Sequence, residues 1–339
     1  MSLLKVENLT TSFTTPQGKV QAVRDVSFEL EEGEVLGIVG ESGSGKSQMM
    51  YTIMGLLADN GVVESGKITF DGEDISLSSY PDRKAYETKM LQIRGNKIGM
   101  IFQDPMTFLN PVLRIETQLV EPLLNHTNMT RAQAKERALE LMRLVGIPSP
   151  EKRIRQYPFE FSGGMRQRII IAIALTCNPK LIIADEPTTA LDVTIQAQVL
   201  ELIDNLRKET NAAVIMITHD LGVVAKLCDR VAIMYGGKMV EVGTDKEIFY
   251  DPIHPYTKGL LNCIARAAED ETEEDLKPIP GSPPDLLNPP KGCPFVDRCE
   301  KAMRVCKEYM PDTASYSDSH KARCWLNDAR AKGDKRNGR

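Results

Sequence analysis

A chain of 339 residues, 42% hydrophobic and 26% charged, can bury a sizeable core as one large domain with an appendage, or as two domains. Its 42 Lys plus Arg against 47 Asp plus Glu leave a formal charge of -5, which gives no global basic footprint and disfavours a nucleic-acid partner. The start MSLLKVENLTTSF is not expected to be a secretory signal, and no stretch reaches the roughly 20 apolar residues of a membrane span, so any role at a membrane is expected to be by docking.

Up to about residue 75, LKVENLT, KVQAVRDVSFEL, EVLGIVG and GKITFDG are short alternating or apolar runs between turn signals, and read as strands. From about Arg83 to Leu175 the texture becomes helix-like, with RAQAKERALELMRLVGI amphipathic and SGGMRQRIIIAIAL a buried helix. Strand, helix and strand then return in LIIADE, TIQAQVLELIDNLRKET, AVIMITHD and RVAIMYGGKMVEVG. The alternation predicts an α/β core with a mostly parallel sheet, carrying a helical insertion over about 83–175. After about Ala265 an acidic run from Glu269 to Asp275 precedes PIPGSPPDLLNPPKGCP, which cannot sustain a helix or a central strand and reads as a linker. Domains are therefore expected at 1–265 and 266–339, the second holding four of the seven cysteines and ending in a basic tail expected to be disordered.

GESGSGKS fits a phosphate loop between a strand ending at Val39 and a helix starting near Lys46. Gly40, Gly43 and Gly45, with Ser42 and Ser44 among them, let backbone N–H groups turn inward as an anion nest; Lys46 reaches the β- and γ-phosphates and the Ser47 hydroxyl can ligate Mg²⁺. The plain alternative is a Gly/Ser-rich turn that happens to precede a lysine. In LIIADEP, adjacent carboxylates end a very apolar strand, where open α/β sheets bind ligands. Asp185 suits Mg²⁺ binding and Glu186 suits polarising a water for attack on a γ-phosphate; helix capping is the alternative role for the pair.

FSGGMRQR, shortly before that strand, resembles the signature segment of ATP-binding cassette (ABC) proteins, and further matches fall in family order. Gln103 in FQDP resembles the Q-loop, Ala190, Leu191 and Asp192 the D-loop, His219 in ITHD the H-loop, and Phe13 the aromatic that stacks on adenine. The resemblance covers about the first 265 residues. It implies a P-loop NTPase (RecA-like) core with an antiparallel β subdomain and the helical insertion. It also implies that Ser162, Gly163 and Gly164 face ATP bound by a partner cassette, that His219 contacts the γ-phosphate, and that Gln103 links the Mg²⁺ site to the insertion. Met165 stands where the family has Gln, and Phe13 where it has Tyr; neither change removes a phosphate ligand, and Phe13 keeps the stacking face.

DPIHPYTKGLL and PIPGSPP followed by GCPFVDRC resemble the carboxyl-terminal extension of the ATP-binding subunits of bacterial dipeptide and oligopeptide importers. Related importers of nickel and oligosaccharides share it, so other cargo stays open. The resemblance implies a second, different ATPase chain, two membrane permease subunits, an extracytoplasmic peptide-binding protein, and a place at the cytoplasmic face of the membrane. Cys177, Cys228 and Cys263 read as small core residues. Cys293, Cys299, Cys306 and Cys324 are separated by five, six and seventeen residues and contain no CxxC pair. A segment with so little apolar content needs a staple; the gaps and the resemblance both suit a structural [4Fe-4S] cluster, with zinc or unliganded cysteines as the alternatives, while His320 is a substitute zinc ligand or a surface residue. A soluble cassette ATPase on ribosomes or DNA would carry two cassettes or long coiled-coil arms. A metal-binding regulator with an incidental ATP site is separated by truncation: a transport motor cut after about Ala265 is expected to retain nucleotide binding.

Overall fold

Twelve strands are described in chain order: β1 (Ser2–Thr15), β2 (Gly18–Glu31), β3 (Val35–Val39), β4 (Gly61–Phe70), β5 (Glu73–Asp74), β6 (Ile98–Ile101), β7 (Leu181–Asp185), β8 (Ala213–Thr218), β9 (Arg230–Tyr235), β10 (Lys238–Thr244), β11 (Ala314–Ser315) and β12 (Lys321–Ala322). They belong to a computed structural model that describes residues 2–103, 108–188, 193–269 and 279–331. The chain forms two compact units, one of residues 1–3, 30–35 and 77–217, the other of residues 4–29, 36–76 and 218–339.

In the first unit β6, β7 and β8 run parallel, with Ile98 opposite Leu181 and Leu181 opposite Ala213. Every residue of β6, β7 and β8 is buried, which is why these runs carry no polar alternation: both faces of the sheet are covered. The helix Arg131–Leu144 starts in a capping box in which Thr130 Oγ1 accepts the Gln133 N–H and Gln133 Oε1 accepts the Thr130 N–H. It buries Ala134, Ala138, Leu141 and Met142, at spacings of one face, against the helices Ile115–His126 and Gly163–Ala174. Strand β6 lies inside the stretch that reads as helix-like from Arg83 to Leu175. Four apolar residues are too few to show a period, and only pairing with β7 makes IGMI a strand.

The second unit holds the antiparallel subdomain, in the order β2-β1-β4-β5, with β1 against β4 and β4 against β5 antiparallel. From Val26 to Glu31, β2 alternates buried and exposed residues as a half-covered sheet requires. Here too β3 runs parallel to β9, and β9 pairs antiparallel with β10. The segment beyond the Pro-rich stretch joins this unit directly. Strand β12 pairs with β10 through Ala322 opposite Glu241 and Lys321 opposite Val242, and β11 pairs with β12. The Pro-rich chain is also bonded in place, since the Gln21 N–H donates to the Leu286 carbonyl at 2.9 Å and Arg24 Nη2 to the Pro290 carbonyl at 2.8 Å.

Candidate functional site

The second unit carries the loop from Gly40 to Ser47 that is expected to bind phosphate. Strand β3 ends at Val39, and the helix Lys46–Ile53 opens directly behind the loop. Two glycines are forced by close approach: a Cβ on Gly40 would meet the Met234 carbonyl, and one on Gly45, at φ 100°, would meet the carbonyl of Ala22. Ser42 and Gly43 are exposed, and no described residue would meet a Cβ on Gly43, so among the described residues the outer wall of the loop is open. Ser44 and Lys46 are buried, and Ser47 is half-buried at the start of the helix. Lys46 Nζ is folded onto its own loop, donating to the carbonyls of Gly40 at 2.7 Å and Glu41 at 3.0 Å. A phosphate entering the loop would take over this ammonium.

Phe13, in β1, is half-buried and sits opposite Gly61 of β4, where a Cβ would come within 2.9 Å of its ring. The absence of a side chain at Gly61 leaves the ring its place at the end of this pair. His219 follows β8 and is exposed, and Asp220 caps the helix Leu221–Leu227 by accepting the Gly222 N–H at 2.8 Å.

The first unit carries the carboxylate pair. Asp185, the last residue of β7, is 1% exposed. Glu186 has φ 45°, a left-handed conformation that costs a non-glycine residue about 1 kcal/mol or more and that recurs where side chains must be aimed. Its N–H donates to the Ile217 carbonyl at 2.9 Å, and its Oε2 accepts a hydrogen bond from Gln103 Nε2, also at 2.9 Å. Gln103 and Glu186, 83 residues apart, are thus brought together. In the signature segment Ser162 is the N-cap of the helix Gly163–Ala174; its Oγ accepts the Met165 N–H at 3.4 Å. Ser162 and Gly163 are exposed, and no described residue would meet a Cβ on Gly163, so among the described residues this helix start has an open face. Gln167, one turn in, is buried and donates to the Pro187 carbonyl at 2.7 Å, tying the signature helix to the chain just past Glu186. Ala190, Leu191 and Asp192 lie outside the described residues.

The four cysteines expected to act together line one small cavity with His254 and Trp325. Burial pushes the Cys293 thiol up to about 12 and Cys324 up to about 11, and raises Cys299 as well. The Tyr256 N–H donates to His254 Nδ1 at 3.1 Å, which leaves the ring proton on Nε2, 3.9 Å from Cys293 Sγ. Burial also lowers His254 to about 3, so the ring is neutral. Among the described residues no three His, Cys, Asp or Glu side chains converge on a point that would hold one metal ion, and no carboxylate lines the cavity. Four soft thiols thus line the cavity, the donor type that iron–sulfur groups and zinc share.

His320 is neither a ligand of that cavity nor a surface residue. It is 3% exposed, and its Nε2 lies 2.7 Å from Glu241 Oε1. The buried Glu241 carboxylate also accepts the N–H groups of Ile253 and His254 and the Thr257 hydroxyl. A lone histidine in a polar stretch reads as exposed until the fold supplies a buried acid from β10. Of the other cysteines, Cys228 is buried as expected, Cys177 is only half-buried, and the Cys263 side chain lies outside the described residues. Glu41, Tyr256 and Arg298 carry no signal in the sequence beyond membership of GESGSGKS, DPIHPYTKGLL and GCPFVDRC, because their partners are remote in the chain.

Two family profiles match this chain: one described as ABC transporter over residues 23–189, and one described as Oligopeptide/dipeptide transporter, C-terminal region, over residues 240–306. The chain is 54% identical over 330 residues to the dipeptide transport ATP-binding protein DppD of Bacillus subtilis, covering 97% of this chain and 96% of that one. It is 52% identical over 309 residues to the oligopeptide transport ATP-binding protein OppD of Salmonella typhimurium, covering 91% and 89%. Among solved structures, the dimeric post-hydrolysis state of the ATP-binding cassette MJ0796 bound to ADP and Pi is similar, with TM-score 0.62 and 28% identity over 71% of this chain and 98% of that one.

Proposed function

This chain belongs to the ATP-binding subunits of the dipeptide and oligopeptide ABC importers, and from that premise we propose how its residues divide the work. It is an ATPase that couples ATP hydrolysis to peptide transport. In this reading the loop from Gly40 to Ser47 cradles the phosphates with its inward N–H groups, Lys46 moves from its own carbonyls to the β- and γ-phosphates, and Phe13 stacks on adenine. Ser47, Gln103 and Asp185 offer the hard oxygen donors that Mg²⁺ prefers, and when bound the ion neutralises phosphate charge. Glu186 takes the proton of the attacking water, Gln103 holds its carboxylate in aim, and His219 contacts the γ-phosphate.

Ser162, Gly163 and Gly164 face ATP held by a second cassette subunit, a different chain, with Asp192 completing that contact. The open helix start at Gly163 supports this role. Binding of two ATP molecules closes the pair and their hydrolysis opens it, driving two permease subunits that receive peptide from an extracytoplasmic binding protein. No helix among the described residues is long and apolar enough to cross a membrane. The subunit docks peripherally at the cytoplasmic face in this reading. Cys293, Cys299, Cys306 and Cys324 would hold a [4Fe-4S] cluster as a structural staple. Their shared cavity and soft donor set support it.

One observation carries the catalytic assignment: Glu186, held left-handed at the end of a fully buried strand, with the Gln103 amide on its carboxylate. Glu186→Gln is expected to bind ATP but to hydrolyse it about 100-fold more slowly or worse, the usual scale for a general base. Turnover near wild type would remove Glu186 from that role. Lys46→Ala is the companion control and should weaken nucleotide binding.

A further inference from the structure

The phosphate loop is gripped at one residue by the carboxyl-terminal extension. Glu41, the second residue of the loop, donates its N–H to the Tyr256 hydroxyl at 2.9 Å. Its carboxylate accepts from Arg298 Nη1 at 2.7 Å, while its carbonyl accepts from Lys46 Nζ. All three polar groups of Glu41 are therefore committed, two of them to residues more than 200 positions away.

Arg298 is a built feature rather than a wandering surface charge. Its side chain is 7% exposed, against 26% for Glu41. It donates to the Tyr235 hydroxyl and to the carbonyls of Ile279 and Pro280, each at 3.0 Å. The guanidinium also lies over the rings of Tyr235 and Phe295, at 5.7 and 6.0 Å. A guanidinium fixed by two carbonyls, a hydroxyl and two aromatic faces has little freedom left to lose when it meets the carboxylate.

The electrostatic consequence falls on ATP. The loop must accept a highly negative triphosphate, and Glu41 places a carboxylate in that same loop, next to the carbonyls that hold Lys46. Arg298 cancels this charge at a partly buried position, where bulk water and salt screen it less. We propose that Arg298 and Tyr256 are positioning residues for ATP, which make the extension part of the nucleotide site by holding Glu41 and neutralising its carboxylate. This deepens the ATPase reading above and rests on it.

The test is Mg-ATP affinity and steady-state hydrolysis on the full chain. Arg298→Ala is expected to weaken ATP affinity and raise KM about tenfold, with a much smaller change in kcat, because the exposed carboxylate opposes binding rather than chemistry. Adding Glu41→Gln to that variant removes the carboxylate and should restore affinity to within about twofold of wild type. Arg298→Lys should fall between. A structural role alone predicts no rescue, so a double variant as weak as Arg298→Ala would overturn the proposal, as would unchanged affinity in Arg298→Ala. If Arg298→Ala does not fold, Glu41→Gln in the otherwise native chain decides: it is expected to bind ATP at least as tightly as wild type, and a tenfold loss would overturn the assignment. Lys46→Ala keeps the two levels apart. If it abolishes nucleotide binding while the Arg298 series is flat, the ATPase reading stands and this inference alone fails.

Discussion

Glu247 shows how one side chain joins distant parts of the second unit. Its carboxylate accepts the Thr244 N–H and hydroxyl in the capping box of the helix Asp245–Tyr250, and the hydroxyls of Ser317 and Ser319 from the extension. Burial alone would raise this acid, but the hydrogen bonds from Ser317, Thr244 and Ser319 outweigh it and bring it down to about 2. A carboxylate depressed in the folded state contributes stability that is complete above its unfolded value, 4.5, and is lost as the pH falls through the folded value, about 2. Glu247→Gln should therefore lower the Tm at pH 6, and the gap to wild type should narrow as the pH falls from about 4.5 toward 2. A gap constant over that range would show that the charge contributes nothing. Residue identities such as Lys46 and Glu186 were legible in the sequence because the motif is local; the bonds of Glu247 were not, because Ser317 and Ser319 lie some 70 residues away.

Among the elements, β10 makes the connection that the sequence does not advertise. It is one arm of the β9–β10 hairpin, which the run RVAIMYGGKMVEVG does announce. Its other edge receives β12, and from it Glu241 points into a nest of four donors that joins the chain at Ile253 to His320. Two-residue strands such as β11 and β12 carry no periodic signal, and their assignment comes wholly from an available sheet edge. Glu241→Gln places an amide donor among donors, and is expected to cost about 3 kcal/mol, the scale for breaking a buried ionic or hydrogen-bonded network. Urea denaturation would measure it, and limited proteolysis should cut the extension sooner in the variant. An unchanged midpoint would mean that the nest does not hold the extension.

For the whole molecule, the extension belongs with the antiparallel subdomain and the phosphate loop in the second compact unit. That changes the meaning of truncation. Cutting after Ala265 removes Arg298, one of the two anchors of Glu41, so a loss of nucleotide affinity would not argue against a transport motor. The cluster assignment is tested on the intact chain: protein purified without oxygen should contain iron and sulfide near four per chain, with a broad visible absorption. Zinc near one per chain, or no metal, would remove the cluster and leave the ATPase intact.

The sequence by itself determined the α/β alternation and the family to which the chain belongs, because the loop from Gly40 to Ser47, the carboxylates Asp185 and Glu186 and the segment FSGGMRQR are each written in consecutive residues whose period, spacing or turn chemistry acts locally. Tertiary structure alone decided that Gln103 meets Glu186, that IGMI is a strand, that His320 is buried on Glu241, and that Arg298 and Tyr256 hold Glu41. Those facts depend on which groups are left without water when distant segments pack, and a buried charge or N–H must find its partner wherever the fold supplies one.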